Sequence, residues 1–190
     1  MTCYNICMTK IVPQILAFLT LIGDISILCV LFYLALNKFR KLKISKVIPN
    51  FQIFRSYSYV FAFIVTLTAT LGSLFYSEVI KFQPCILCWY QRIMMYSQTI
   101  LLYIAIARNE KVIKPYLIAL NIIGAAIAGY HYLIQRFPQT AFTPCSIAGG
   151  VSCIKGYTYY YGYISIPFMA LTAFVLNIIL LQLSEYKGRK

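Results

Sequence analysis

Five long apolar runs, separated by short polar segments, dominate the chain. Each run approaches or exceeds the roughly 20 residues that a helix needs to cross a hydrocarbon core of about 30 Å. None of them alternates with a period of two, and only helices or closed barrels satisfy every backbone polar group in lipid. The pattern therefore predicts five transmembrane helices, at roughly residues 11–36, 57–76, 89–107, 116–135 and 163–183.

The composition agrees with a membrane protein, since 61% of the 190 residues are hydrophobic and only 11% are charged. We predict an all-α integral membrane protein, in which a four-helix transmembrane bundle carries one extra N-terminal transmembrane helix. Residues 1–50 would form that accessory anchor and a basic cytoplasmic loop, and residues 51–190 would form the bundle. The first run is too long for a signal peptide and lacks a small-residue cleavage site, so we expect it to stay uncleaved.

The basic residues alternate with the predicted helices. Of the 17 Lys and Arg residues, 12 fall in segments 37–56 and 108–115 and in the C-terminal tail. The positive-inside rule places these segments in the cytoplasm, so the N-terminus and the loops at 77–88 and 136–162 face outward. Topology and contact with anionic membrane lipid account for the net charge of +13. A nucleic-acid partner is not indicated.

Four of the seven cysteines fall in the two outward loops, where an oxidising compartment lets disulfides persist. Cys85 and Cys88 follow Pro84 at the start of the third run, and Cys145 and Cys153 share the longer loop. A helix N-terminus stabilises thiolate, which is the species that exchanges disulfides. The first pair is thus suited to redox chemistry. A structural zinc site and two inert structural disulfides are the alternatives.

Two further polar residues lie at a similar depth inside the predicted outer boundary. Arg92 follows Cys88 by four residues and so shares its helical face. A charge at that depth is usually functional, although a long Arg side chain can also reach the headgroups. His131 is the only histidine and lies near the outer end of the fourth run. It either lines the same pocket as Arg92 or is a packing residue.

The first run contains an acidic residue and is preceded by two cysteines. Asp24 lies near its middle, where an acid is a functional candidate that is either neutral or hydrogen-bonded to a neighbouring helix. Cys3 and Cys7 would lie outside and could form another exchangeable pair. The segment could equally serve only as an anchor. In the fourth run, small residues at positions 124, 125, 128 and 129 predict close approach of another helix.

The motif CILCWYQR at residues 85–92 resembles the first redox site of the DsbB/BdbC family of disulfide-bond formation proteins. The segment 130–135, around the histidine, is similar to the family's histidine-bearing helix. The segment 162–168 is similar to the start of its last helix. The resemblance covers roughly residues 55–185 and is nearer to the BdbC-like branch.

This resemblance implies a quinone-dependent protein-disulfide oxidoreductase of the bacterial inner (plasma) membrane. It would reoxidise a thioredoxin-fold (DsbA-like) periplasmic or extracytoplasmic oxidase and pass the electrons to ubiquinone or menaquinone. The resemblance assigns Cys145 and Cys153 to the partner, and Cys85 and Cys88 to the quinone. It also implies that two polar groups lie at the quinone ring, namely Arg92 and His131.

Two features depart from the family's best-known members. The first run is extra, and the interval between Cys145 and Cys153 is short. A vitamin-K-epoxide-reductase-like thiol oxidase and a disulfide-stapled membrane scaffold are the competing hypotheses. Within the leading hypothesis, we expect Cys153 to attack Cys85 and the thiolate facing quinone to form at Cys88, beside Arg92.

Overall fold

A computed structural model of the protein describes residues 3–40, 56–109, 112–140, 151–154 and 156–184. The all-α fold predicted from the sequence is confirmed. Within these ranges, five α-helices follow one another: α1 Cys3–Arg40, α2 Ser58–Leu74, α3 Ile86–Arg108, α4 Lys114–Arg136 and α5 Ile166–Leu183. A π-helical turn, Phe75–Val79, extends α2, and a short 3₁₀ turn, Pro138–Thr140, follows α4.

Four of these helices are long and apolar enough to cross a membrane, namely Met8–Tyr33, Ser58–Val79, Lys114–Arg136 and Ile166–Leu183. The helix α3 has 23 residues and is long enough, but its sequence is more polar. Its buried stripe includes Gln91 and Gln98, which face the bundle interior. The extra polarity of α3 therefore belongs to the inside of the protein.

The helix α5 holds the bundle together, since it packs against α1, α2 and α4, while α3 packs between α2 and α4. Three separate clusters of buried residues form along the bundle. The first contains Leu102, Leu117 and Leu181, and the second surrounds Phe174. The third lies at the end of the bundle that carries the cysteine loops, and it contains Cys85, Ile134 and Cys153.

Some of the small residues of α4 pack closely against a neighbouring helix and others do not. A Cβ added at Gly124 would overlap the ring of Phe174 on α5, so the prediction of close helix approach is confirmed there. Ala128 is fully buried in the same cluster. By contrast, a Cβ at Gly129 would meet nothing within 4 Å. Only part of the small-residue pattern therefore serves packing in the part of the chain that the structure describes.

Asp24 fastens α1 to the bundle. Its carboxylate accepts a hydrogen bond from Thr172 Oγ1 at 2.8 Å and another from Tyr163 Oη at 3.2 Å. Gly23 lies beside the same threonine, where an added Cβ would be 3.0 Å from Thr172 Cγ2. Of the two expectations for Asp24, hydrogen bonding to a neighbouring helix is confirmed.

Aromatic stacking joins the two loops at the cysteine end of the bundle. The ring of Phe82 stacks on Tyr76 at 6.1 Å and on Tyr157 at 4.5 Å between centroids. Tyr157 also donates a hydrogen bond to the backbone oxygen of Gln83 at 3.1 Å. The segment that follows Cys153 is thereby fixed against the segment that precedes Cys85.

A tight turn delivers the chain into α5. Tyr160 and Ile164 exchange backbone hydrogen bonds of 2.8 and 2.9 Å, and Gly162 adopts a φ of +78° between them. Ser165 then takes an extended conformation as the residue before the helix, and Pro167 occupies its first turn. The last helix therefore begins within the segment that resembles the family's last helix.

Several sequence predictions concern residues outside the described ranges. These are Cys145, the side chains of Cys3 and Cys7, the basic segment 41–55, Lys111 and the C-terminal tail.

Candidate functional site

The cysteine pair lies at the start of α3, as the sequence predicts. Cys85 is the residue before the helix, in an extended conformation, and Pro84 precedes it. Cys88 lies in the first turn, and both residues carry free thiols. Their Sγ atoms are 3.2 Å apart and share a hydrogen bond. One proton can therefore be shared between the two sulfurs, which favours a thiolate on one of them.

His131 reaches this pair from α4. Its Nε2 lies 3.6 Å from Cys85 Sγ, and its Nδ1 lies 2.9 Å from Gln91 Nε2. Nε2 is therefore the ring nitrogen that faces Cys85, while Gln91 contacts the ring at Nδ1. Since the histidine is only 1% exposed, water does not compete for that contact.

The pKa of Cys85 is lowered from 9.0 to about 4. The hydrogen bond with the Cys88 thiol is the main cause, and the hydrogen bond and charge of His131 add to it, while burial opposes both. Cys85 is therefore a thiolate at neutral pH when the pair is reduced. The thiolate expected at Cys88 belongs to a later step, after Cys153 has attacked Cys85, and it stays a prediction.

Arg92 crosses to α2 instead of pointing to the headgroups. Its Nε donates to Ser73 Oγ and its Nη2 to the Ser73 backbone oxygen, both at 2.9 Å. The guanidinium also lies 5.4 Å from the centre of the Trp89 ring. No carboxylate pairs with Arg92 in the part of the chain that the structure describes. Its charge thus remains uncompensated beside the reduced cysteine pair.

Cys153 is 1% exposed, disulfide-bonded, and clustered with Cys85 and Ile134. Cys88 and Leu87 pack against this cluster. The structure therefore brings one cysteine of the longer loop to the pair at α3. Cys145 lies outside the described residues.

A cavity of about 350 Å³ opens from the cysteine pair into the bundle. This volume is within the range of small-molecule sites. Cys85 and Cys88 line it, as do Arg92 and His131, so four of the five described site residues predicted from the sequence share one space, and Cys153 is not part of the lining. Tyr96 and Ser165 also line the cavity, and their hydroxyl oxygens are buried without a hydrogen-bond partner among the described residues.

The same residues offer three metal-binding atoms. Cys85, Cys88 and His131 place their ligand atoms within 4.8 Å of one another, as the only such group in the described segments. A tetrahedral zinc site wants four ligands, and its Zn–S bonds of about 2.3 Å set two sulfurs about 3.8 Å apart. The two sulfurs here are closer, at 3.2 Å. The geometry therefore fits a redox pair better than a structural zinc site.

Several partners of the site residues have no signal of their own in the sequence. Gln91 and Gln135 both contact the His131 ring, the latter at 3.2 Å from Nε2. Ser73 holds Arg92. Gln135 follows the histidine by one helical turn, so its proximity could have been inferred, whereas Ser73 is identified only by the packing of α2 on α3.

A pair of free thiols lying between a buried disulfide-bonded cysteine and a cavity inside a helix bundle defines a membrane thiol–disulfide oxidoreductase. The model of the family described as disulfide bond formation protein DsbB matches residues 55–183. The chain belongs to this family.

Individual relatives agree with the family match. The chain is 45% identical over 130 residues to Disulfide bond formation protein C of Bacillus subtilis, covering 68% of this chain and 91% of that protein. It is 43% identical over 122 residues to Probable disulfide formation protein C of Bacillus cereus, covering 64% and 86%. A Bacillus subtilis relative, SPbeta prophage-derived disulfide bond formation protein B, is 40% identical over 118 residues, covering 62% and 78%. No solved structure matches the chain significantly.

Proposed function

We propose that the protein is a quinone-dependent protein-disulfide oxidoreductase. It reoxidises a thioredoxin-fold (DsbA-like) oxidase outside the plasma membrane and passes two electrons to ubiquinone or menaquinone. The observation that carries this proposal is the position of Cys85 and Cys88. They lie between Cys153, which is clustered with Cys85, and a cavity inside the bundle that Arg92 lines.

The first steps of the reaction involve the two cysteines of the longer loop, which a soluble partner can reach. A thiolate of the reduced partner attacks Cys145 in a Cys145–Cys153 disulfide, which forms a mixed disulfide and releases Cys153 as thiolate. The second partner thiol then resolves the mixed disulfide, so the partner leaves oxidised. Two electrons remain in the protein as the reduced second pair. Each step is ordinary thiol–disulfide exchange.

The electrons then move to the first pair. The Cys153 thiolate attacks Cys85 in an oxidised Cys85–Cys88 disulfide, because these two residues belong to one buried cluster. Cys145 closes the second disulfide again, and the first pair is left reduced. Contact with His131 supports a thiolate at Cys85, and Cys88 keeps its proton because its pKa is raised, chiefly by the hydrogen bond with Cys85.

The cavity supports a quinone as the final acceptor. When bound there, a quinone supplies the two-electron oxidant and leaves as quinol. Arg92 presents a charge close to Cys88, which favours negative charge on an oxygen or sulfur beside it. The hydroxyls of Tyr96 and Ser165, which lack partners among the described residues, can hydrogen-bond to ring oxygens. His131 acts on Cys85 and also borders the same space.

The orientation of the protein is part of the proposal. The basic segments alternate with the cysteine loops along the sequence, so the positive-inside rule directs those loops to the periplasm or exterior. The bacterial plasma membrane fits the named Bacillus relatives. We also propose that residues 51–190 form the redox bundle and residues 1–50 an accessory anchor, which agrees with a family match that starts at residue 55.

One experiment tests the function. The purified full chain in lipid vesicles is supplied with a reduced thioredoxin-fold oxidase and a quinone, and quinol formation is followed together with partner thiols. We expect one quinol for each partner disulfide formed, and none with Cys88→Ala. A disulfide-stapled scaffold would consume neither substrate, and quinol formation that persists in Cys88→Ala would refute the proposed route.

A further inference from the structure

The first helix forms part of the cavity wall at the redox site. The cavity that begins at Cys85 and Cys88 continues into the space bounded by α1, α2 and α5. Six residues of α1 line this space: Leu16, Leu19, Thr20, Ile22, Gly23 and Ser26. The family match starts only at residue 55. This wall is therefore a feature of this chain that the match does not account for.

The wall is held in place at two points. Asp24 accepts hydrogen bonds from Thr172 and Tyr163, which ties α1 to α5 and to the turn before it. Leu16 packs against Gly72 of α2, where an added Cβ would be 3.0 Å from Leu16 Cδ1. A carboxylate among apolar helices is costly unless hydrogen-bonded, so α1 has a specific seat on the bundle.

The two ends of the cavity differ in chemistry. The end beside the cysteine pair carries Arg92 and His131, whereas the α1 side is lined mostly by apolar residues, including Ile64, Val65 and Leu176. The hydroxyls of Thr20 and Ser26 on that side donate hydrogen bonds to backbone oxygens of α1 itself. Leu19 and Ile22 of the wall are each 45% exposed, so this side opens to the surroundings of the bundle. In a membrane those surroundings are hydrocarbon.

We propose that α1 forms one wall of a channel that holds the prenyl chain of the membrane quinone. This inference rests on the proposed function, because it places the chain of a quinone whose ring lies at the cysteine pair. A polar redox ring joined to a long apolar chain matches a cavity that is polar at the thiols and apolar where it opens to lipid. The apolar side shares one space with the reaction site, which favours this chain over an unrelated lipid.

A matched pair of variants tests the channel. Leu19→Trp narrows the cavity from the α1 side, and Leu28→Trp makes the same change at a residue of α1 that is 65% exposed and not part of the lining. Each variant is assayed with a quinone bearing several prenyl units and with the same ring without the chain. We expect Leu19→Trp to raise KM for the prenylated quinone about tenfold, the size of effect of one blocked apolar contact. KM for the chain-free ring should change less than about twofold, and Leu28→Trp should match wild type with both.

A second readout is independent of turnover. A quinone with a photoreactive group at the end of its prenyl chain is cross-linked to the full-length protein, and the labelled peptides are identified by mass spectrometry. We expect labelling in residues 16–26 of α1, and its loss in Leu19→Trp. Labelling that excess phospholipid removes as effectively as excess prenylated quinone would mean that acyl chains fill the channel, and would overturn the inference.

The kinetic outcomes separate the two proposals. If wild type reduces both quinones and Leu19→Trp impairs both equally, or neither, the channel is refuted while the proposed function stands. If wild type oxidises the partner without reducing either quinone, the proposed function itself fails.

Discussion

His131 Nε2 lies 3.6 Å from Cys85 Sγ, although 46 positions separate the two residues in the chain. The contact joins the residue before α3 to the C-terminal half of α4, and Gln91 contacts the other nitrogen of the imidazole. The site is therefore built across two helices that pack side by side, and its reactivity depends on their relative position.

The first prediction concerns the pH dependence of Cys85. Its pKa is about 4 in the folded dithiol form, against 9.0 as the ordinary value. The thiolate should therefore persist from neutral pH down to about pH 4. His131→Ala removes a hydrogen-bond donor, so the midpoint should move up toward 9.0. This midpoint is measured from the difference in ultraviolet thiolate absorbance between each protein and its Cys85→Ser derivative, followed as a function of pH.

The same shift has a consequence for stability. Because the pKa of Cys85 is depressed in the folded protein, the unfolded state binds more protons between about pH 4 and pH 9. The free energy of unfolding of the reduced protein should therefore rise with pH across that range, and this contribution should be lost as pH falls through about 4. If the pH midpoint of the Cys85 thiolate absorbance is unchanged in His131→Ala, His131 serves only in packing.

The second prediction concerns Arg92. Arg92→Ala should raise the apparent KM for quinone about ten- to hundredfold, since hydrogen bonds to charged groups contribute about 1.5–3 kcal/mol. Arg92→Lys should recover only part of this, because a point charge cannot hold both Ser73 atoms as the planar fork does. Arg108→Ala, at the far end of the same helix, is the control. Normal quinone kinetics in both Arg92 variants would limit the residue to its contact with Ser73 of α2.

The third prediction fixes the order of thiol exchange. In Cys153→Ser the second disulfide cannot form, so the reduced partner has no disulfide to attack and should stay reduced. The free Cys145 thiol should instead attack the disulfide of the oxidised partner, which releases one partner thiol and gives a covalent complex visible on a non-reducing gel. Cys88→Ser should leave the second pair reactive toward the partner but stop quinol formation. A complex that forms through Cys85, with Cys145 dispensable, would show that the relay runs by another route.

The fourth prediction concerns sidedness. A membrane-impermeant thiol reagent added to intact cells should label reduced Cys88 or Cys145 without permeabilisation, in proteins that keep one of them at a time. Cys85 and Cys153 are only 5% and 1% exposed, so they should react slowly. Cys29 is an internal control, because it is exposed on α1 within the segment Met8–Tyr33 and should face lipid. Labelling that requires a permeabilised inner membrane would reverse the orientation.

The fifth prediction compares two glycines of α4. Gly124→Ala should destabilise the protein by about 1–3 kcal/mol, because the new Cβ overlaps the Phe174 ring. Gly129→Ala should change stability by less than about 1 kcal/mol, since its Cβ would meet nothing within 4 Å. Thermal unfolding in detergent measures both. Equal losses would mean that helix flexibility, and not contact with α5, controls the effect.

Much of the fold could be predicted from local pattern. Hydrophobic length identifies the helices, and the spacing of Cys85, Cys88 and Arg92 is set by the geometry of one helix. The position of Cys85 before the helix follows from Pro84 and the start of the apolar run. These features depend on residues that are close in sequence, so no knowledge of packing is needed.

The rest of the site depends on how separate helices align. The contact of Gln91 with His131 requires the register of α3 on α4, and the contact of Arg92 with Ser73 requires that of α3 on α2. The apolar pattern sets which face of a helix is buried but not its sliding position. For this reason the spacing along one helix relates Cys88 to Arg92, whereas the contact of His131 with Cys85 could not be predicted from the sequence.

The seat of Asp24 also constrains how the protein is made. Its two hydrogen-bond donors, Tyr163 and Thr172, follow it by 139 and 148 positions, so they leave the ribosome long after the first helix has entered the bilayer. Until then the carboxyl group stays without these partners in the lipid or remains near the insertion machinery. The first helix therefore completes its packing only after the last helix has been inserted. A chain truncated before Tyr163 leaves the Asp24 carboxyl group without either of these hydrogen-bond donors.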